Sequence, residues 1–391
     1  MADQIVQWFF SVYDVIFLFL LGFVIIVELL AYGIGLILQR KNLIYRKPTV
    51  PLQRAAQSYD EYLLKRDDVL GWPFTTQLNG KSFDTIGSRR IPAFEDPTQH
   101  QSCVSLYGDS FTFGTEVDHK HAWSNLLSQR LGCRVANFGV GGYGTDQAYL
   151  RFQHNDKDKS RIVVLGHTSL DIVRNLTRNL DLLAMKMGYG LKPRFIVNDQ
   201  GNFELVPIPQ LSEKDYQKLM GLDSPQLELA HENFYCGGPV SITKLQFPYT
   251  YHLLRSINYF RLRAELARRP PYAEFYAKDH PFRGLEITTL IITSFFNEVK
   301  QQGRQPVIII FATMADLKLY QNTKNWSYQN LMEALDTRNI PYLNVGPYLL
   351  KYLGQREIGE IFSPSGGHHN EEGNQVIAQL VYAHIRQISF I

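Results

Sequence analysis

From Val15 to Leu38 the chain reads VIFLFLLGFVIIVELLAYGIGLIL, 24 residues with Glu28 as the sole charge. Apolar residues cover every face of this stretch, unlike the one-sided stripe of a surface helix. At 1.5 Å per residue it spans roughly 36 Å, enough to cross a hydrocarbon core of about 30 Å. A cleaved signal peptide fits poorly: no basic segment precedes the run, no small-x-small site follows it, and the run is too long. The pattern predicts an uncleaved single-pass anchor with a basic linker over residues 1–47.

Past Pro48 the pattern changes to short apolar runs, each followed by a turn and then a helical period. The runs are VSLYG (104–108), RVANFGV (134–140), RIVVLG (161–166), PVIIIFAT (306–313) and PYLNVGP (341–347). Amphipathic stretches such as HAWSNLLSQRLG (121–132) and EITTLIITSFFNEVKQQG (286–303) lie between them. This alternation predicts an α/β domain over 48–391 with a parallel sheet covered on both faces. Residues 176–285 interrupt the rhythm as an insertion. Within it, 193–209 reads as a hairpin with Asp-Gln-Gly-Asn in its turn. Residues 247–269 read as a helical stretch bearing Arg255, Arg261, Arg263, Arg268 and Arg269, a basic face that is solvated or lies against anionic lipid or a partner.

Charge adds detail to the anchor. Asp14 and Glu28 are 14 residues apart, about 40° around an ideal helix, so they share a face. A carboxyl in the bilayer interior costs roughly 2.5–3.5 kcal/mol on insertion scales unless satisfied. Both are candidates for contact with a partner helix, and Gly33 and Gly35 offer small surfaces for close approach. Arg40, Lys41, Arg46 and Lys47 follow the helix and no basic residue precedes it, which points the large domain toward the cytoplasm.

The whole chain of 391 residues is 45% hydrophobic and 20% charged, with a formal net charge of +3. That composition excludes a disordered chain and gives no reason to expect nucleic acid as partner. Three scattered cysteines, Cys103, Cys133 and Cys236, do not form a disulfide framework, and no spaced Cys/His set suggests a metal or other cofactor.

The candidate chemistry follows the first predicted strand. In VSLYGDSFTFG, Ser110 stands where a strand ends and a helix begins, with free helix amides beside its hydroxyl. A serine needs a base to take its proton, and a histidine follows the last predicted strand in SPSGGHHNEEGNQVIA. Alone, Ser110 reads as a helix N-cap, the usual role of a serine at such a position. Taken together, GDSFTFG, NFGVGGYGTDQ (137–147) and HHNEEGNQVIA (368–378) resemble the ordered blocks of the SGNH/GDSL hydrolase family. The resemblance extends from RDDVLGWPF (66–74) to the C-terminal helix. It implies a flavodoxin-like three-layer α/β/α domain and ester hydrolysis or acyl transfer through a serine. Carried over by residue, Ser110 matches the nucleophile, the amides of Ser110 and Gly142 the oxyanion hole, and His368 the base. Asn370 and Gly373 complete the spacing around that base, and His369 becomes a structural residue.

Two positions depart from the family pattern. The third block, GHTSLDIVRN (166–175), has Leu170 before Asp171 where an oxyanion asparagine is expected; His167, Thr168 or Ser169 are the alternative donors. The position three before His368 is Ser365 rather than an acid. A Ser-His dyad follows unless another side chain orients the imidazole; Asp171 is a candidate, but followed by Arg174 it reads first as a structural ion pair. The sequence therefore supports an anchored esterase or O-acyltransferase acting on acyl, such as acetyl, esters of a carbohydrate or lipid. The alternative is an inactive SGNH-fold subunit serving as scaffold or binding module in a membrane complex. Family analogy places such a domain outside the cytoplasm, against the flanking charges.

Overall fold

The structure, a computed structural model, describes residues 2–41, 43–44, 58–72, 82–183, 191–221, 229–234, 245–365 and 367–388. Arg46 and Lys47 of the basic flank lie outside the described residues. Five strands, β1 (Ser102–Tyr107), β2 (Arg134–Asn137), β3 (Ile162–Thr168), β6 (Gln305–Phe311) and β7 (Tyr342–Asn344), form a parallel sheet in the order β2-β1-β3-β6-β7. All five coincide with the apolar runs. In β3 and β6 every residue after the first is buried, which explains why their sequences lack polar alternation. The order is the flavodoxin type, with its switch point between β1 and β3. In such sheets, ligands bind at the carboxyl ends of the two strands that flank the switch point.

Helices α3 (Trp123–Leu131) and α7 (Glu371–Ile388) pack on one another, as do α4 (Thr145–Gln153) and α6 (Gly284–Gln301). These two pairs make the outer layers. The insertion contributes the antiparallel hairpin of β4 (Arg194–Val197) and β5 (Phe203–Val206), as expected from its turn residues. The arginine-bearing stretch differs from expectation. It breaks at Ile257 into α5 (Tyr249–Ser256) and a helix over Tyr259–Leu266, because the Asn258 side chain accepts the Arg261 amide and starts the second helix. Arg263 and Arg269 both pair with Glu274, so these arginines do not form one solvated basic face.

Helix α1 (Ala2–Arg40) contains the apolar run, and Val12–Arg40 is long and apolar enough to cross a membrane. Glu28 has hydrogen-bond partners within the chain. Its carboxylate accepts the amides of Tyr249 (2.5 Å) and Thr250 (3.2 Å) and the Thr250 hydroxyl, so the contact predicted for another protein is made by α5 of the same chain. Asp14 remains exposed on α1. A second difference concerns the cysteines. Cys103 and Cys133 are joined in a disulfide with Cα atoms 6.1 Å apart. The register that sets Ser102 opposite Arg134 brings them together at the amino ends of neighbouring strands.

Candidate active site

The chain leaves β1 through Gly108 and enters the short helix α2 (Ser110–Phe113). A Cβ on Gly108 would collide with Thr112 Oγ1 and stand 2.8 Å from the carbonyl of Gly166, so only glycine lets α2 turn this tightly over β3. The Asp109 carboxylate caps the helix by accepting the amides of Phe111 (2.9 Å) and Thr112 (3.4 Å). The capping role open to Ser110 is thus filled by its neighbour. The serine hydroxyl is free for another partner.

That partner is His368. Its Nε2 lies 2.8 Å from Ser110 Oγ, across 258 residues of sequence. On the far side of the ring, Nδ1 lies 3.0 Å from Glu116 Oε1. An ionised carboxylate accepts from Nδ1–H, which leaves Nε2 as the acceptor for the serine proton. Burial alone would raise the Glu116 carboxyl. Hydrogen bonds from Ser363, His368 and Ser365, with the adjacent imidazole, outweigh burial and hold it below its ordinary value. The dyad expected from the absence of an acid before His368 is therefore corrected: a carboxylate reaches the ring from the loop after α2. Ser365, where that acid was sought, donates to Glu116 Oε2 at 3.2 Å.

Glu116 reaches His368 because the chain reverses sharply after α2. Gly114 (φ 76°) and Glu116 (φ 74°) both adopt left-handed backbone. Arg89, only 2% exposed, holds the turn from behind. Its guanidinium donates to the carbonyls of Phe113, Gly114 and Val117, each at 2.7 Å, and Nε lies 3.2 Å from His119 Nδ1. Burial lowers Arg89 to about 10, against the pull of Asp118. Nothing in the sequence marks Glu116 beyond an acid closely following a strand-end serine.

The second block forms a turn after β2 that packs against the Gly108–Phe113 segment. The Val140 amide donates to the Gly108 carbonyl (3.0 Å), and Trp72 Nε1 to the Gly141 carbonyl (3.0 Å). Gly142 sits in this turn at φ 82°, a conformation that favours glycine. In the third block, His167 is bound on both ring nitrogens, by Thr145 Oγ1 (2.7 Å) and the Tyr276 hydroxyl (2.9 Å), and Ser169 donates to Asp316. Thr168 Oγ1 ends β3 buried and without a hydrogen-bond partner among the described residues.

Asp171 does not touch His368. Its carboxylate accepts from Arg174 Nη1 (2.8 Å) and the Thr168 amide (3.0 Å). The same Arg174 nitrogen reaches Asp109 (3.1 Å) and the Tyr143 carbonyl (2.9 Å), so this ion pair ties the three blocks together. Burial and neighbouring Asp109 push the Asp171 carboxyl up, against the pull of Arg174. Asn370 is a helix cap: its Oδ1 accepts the Gly373 amide (3.0 Å) at the start of α7. His369 is buried among Phe111, Phe311 and Phe362, and burial lowers it to about 3.

No family model matches the chain, and no curated relative matches it. Among solved structures the chain is similar to an acetyl xylan esterase, AlAXEase, at 12% identity and a TM-score of 0.37, over 72% of this chain and 98% of that one. It is also similar to a member of the lipolytic protein G-D-S-L family from Veillonella parvula, at 12% identity and a TM-score of 0.34, over 72% of this chain and 96% of that one.

Proposed function

We propose that this chain is a membrane-anchored serine esterase or O-acyltransferase of SGNH type. The observation that carries the proposal is the unbroken relay Ser110 Oγ–His368–Glu116 at the switch-point edge of the sheet. Ser110 Oγ attacks the acyl carbonyl while its proton passes to His368 Nε2, and Glu116 holds the imidazolium that forms. The amides of Ser110 and Gly142 receive the tetrahedral oxyanion, and Thr168 Oγ1 serves as a third donor in place of the family's asparagine. Collapse of the intermediate breaks the ester bond, and the leaving oxygen takes the proton from His368. Water then releases the acid, or a second hydroxyl accepts the acyl group. Acetyl esters of a carbohydrate or lipid are the substrate class that the family resemblance suggests.

A fluorophosphonate probe tests this on the detergent-solubilised full chain. Wild type is expected to be labelled at Ser110, with Ser110→Ala and His368→Ala unlabelled. Thr168→Val removes only a hydroxyl and should cut turnover of an activated ester by roughly 10²-fold, the scale for one oxyanion donor. Absence of wild-type labelling across pH would instead support the scaffold reading.

A further inference from the structure

Residues 245–257 follow an unusual path against α1. Leu245 fills the space that a side chain on Gly35 would need. Two residues past Phe247 the chain has moved further along α1: the Tyr249 ring lies 4.8 Å from that of Tyr32, and the Glu28 carboxylate takes the Tyr249 and Thr250 amides. Helix α5 then runs back toward the carboxyl end of α1. It ends where the Asn258 amide donates to the Leu43 carbonyl (2.7 Å) and Ile257 pairs with Ile44. The segment therefore descends beside the apolar helix, turns at Glu28, and returns.

The depth of that turn follows from α1. Glu28 precedes Arg40 by 12 residues, about 18 Å of helix, whereas half a hydrocarbon core is about 15 Å. With Arg40 at the interface, Glu28 sits near the midplane. Shifting α1 so that Glu28 met the headgroups would put Leu29, Leu30, Ile34 and Ile37, all exposed, into water. The returning segment also exposes large apolar side chains, beside the polar Gln246 and Thr250. Phe247, Tyr251 and Leu254 are 69%, 56% and 63% exposed. The first Lys or Arg on α5 is Arg255 in its last turn, about 9 Å of helix past Tyr249 on the way back, with its guanidinium 4.6 Å from the Tyr251 ring centroid.

A helix beginning in hydrocarbon has free N-terminal amides and no water to satisfy them. The Glu28 carboxylate accepts two of them, those of Tyr249 and Thr250, and places negative charge at the positive end of α5. This explains a carboxylate inside an otherwise apolar helix. We propose that residues 245–257 form a re-entrant element seated among the acyl chains of the bilayer that α1 crosses, with Glu28 as its internal cap. The proposal rests on the reading of α1 as a membrane span. Its consequence is a domain fixed against the membrane at two places.

The test uses bimane attached to single cysteines in the full chain, with Cys236 replaced by serine, reconstituted in phosphatidylcholine vesicles brominated on the acyl chains. Leu254→Cys and Leu20→Cys are both expected to lose most of their emission, and Gln200→Cys in the β4–β5 turn to keep it. Quenching at position 20 but not at 254 would overturn the re-entrant element while leaving the anchor intact. Quenching at neither would remove the span reading and this proposal with it. Adding Glu28→Gln, which keeps an acceptor, should preserve quenching at 254, and Glu28→Leu should reduce it. Undiminished quenching with Glu28→Leu would refute the capping role.

Discussion

An imidazole that takes a proton from serine must present an unprotonated Nε2, and in the proposed mechanism Glu116, 3.0 Å from Nδ1, sets that tautomer. Replacement with an amide lets the ring be held in the other tautomer and gives the imidazolium no counter-charge. Glu116→Gln is expected to lower kcat by roughly 10²–10⁴-fold with Ser110 still in place. The nearby Ser365 makes the test specific. Ser365→Asp alone sets a second carboxylate beside Glu116, whose Oε2 is 3.2 Å from the serine hydroxyl, so like-charge repulsion should lower activity. In a Glu116→Gln background the same Asp occupies the position from which the family acid reaches its histidine, and part of the activity should return. Steady-state kinetics on wild type and the three variants decides it. Loss in both backgrounds would mean that Glu116 supports the loop without orienting His368.

At the scale of elements, the site depends on how tightly the turn after α2 is held. Arg89 satisfies three carbonyls of that turn, and no other residue type spans them with one planar group. Arg89→Met should destabilise the fold by an amount on the order of 3–5 kcal/mol, through buried acceptors left unpaired. It should also lower kcat with little change in KM, measured well below the variant's Tm. A fall in Tm with unchanged kcat would show that Glu116 keeps its position without the clamp. The strands were legible because each apolar run is bounded by turn residues, and Ser110 and His368 because serine, glycine and histidine spacings survive in the chain. Glu116 was not legible: its role depends on a reversal through left-handed Gly114 and Glu116, which no local period encodes. The partner of Glu28 was hidden for a similar reason. Read as one basic helix, 247–269 gave no sign that α5 would turn along α1.

At the scale of the whole molecule, two physical signals disagree about the side on which an anchored domain would lie. Arg40 and Lys41 directly after the apolar helix, with no basic residue before it, favour a cytoplasmic domain. The Cys103–Cys133 disulfide favours the opposite side, because cytosolic reductants keep such pairs open. It closes a loop of sequence separation 30, worth about 3–4 kcal/mol in the loop-entropy account, and it ties together two adjacent strands of the sheet that carries Ser110. A domain that relied on this bridge would be penalised in the cytosol. The flanking charges act only during insertion, and a helix engaged by α5 through Glu28 is held by more than its flanks. We therefore expect the large domain outside the cytoplasm. Intact cells quenched with acid and treated with maleimide under denaturing conditions should show Cys103 and Cys133 unreactive before reduction and both reactive after it. A C-terminal fusion to a reporter that works only after export should be active, and one that works only in the cytoplasm inactive. Free thiols at both positions together with the cytoplasmic reporter active would return the domain to the side that the charges indicate.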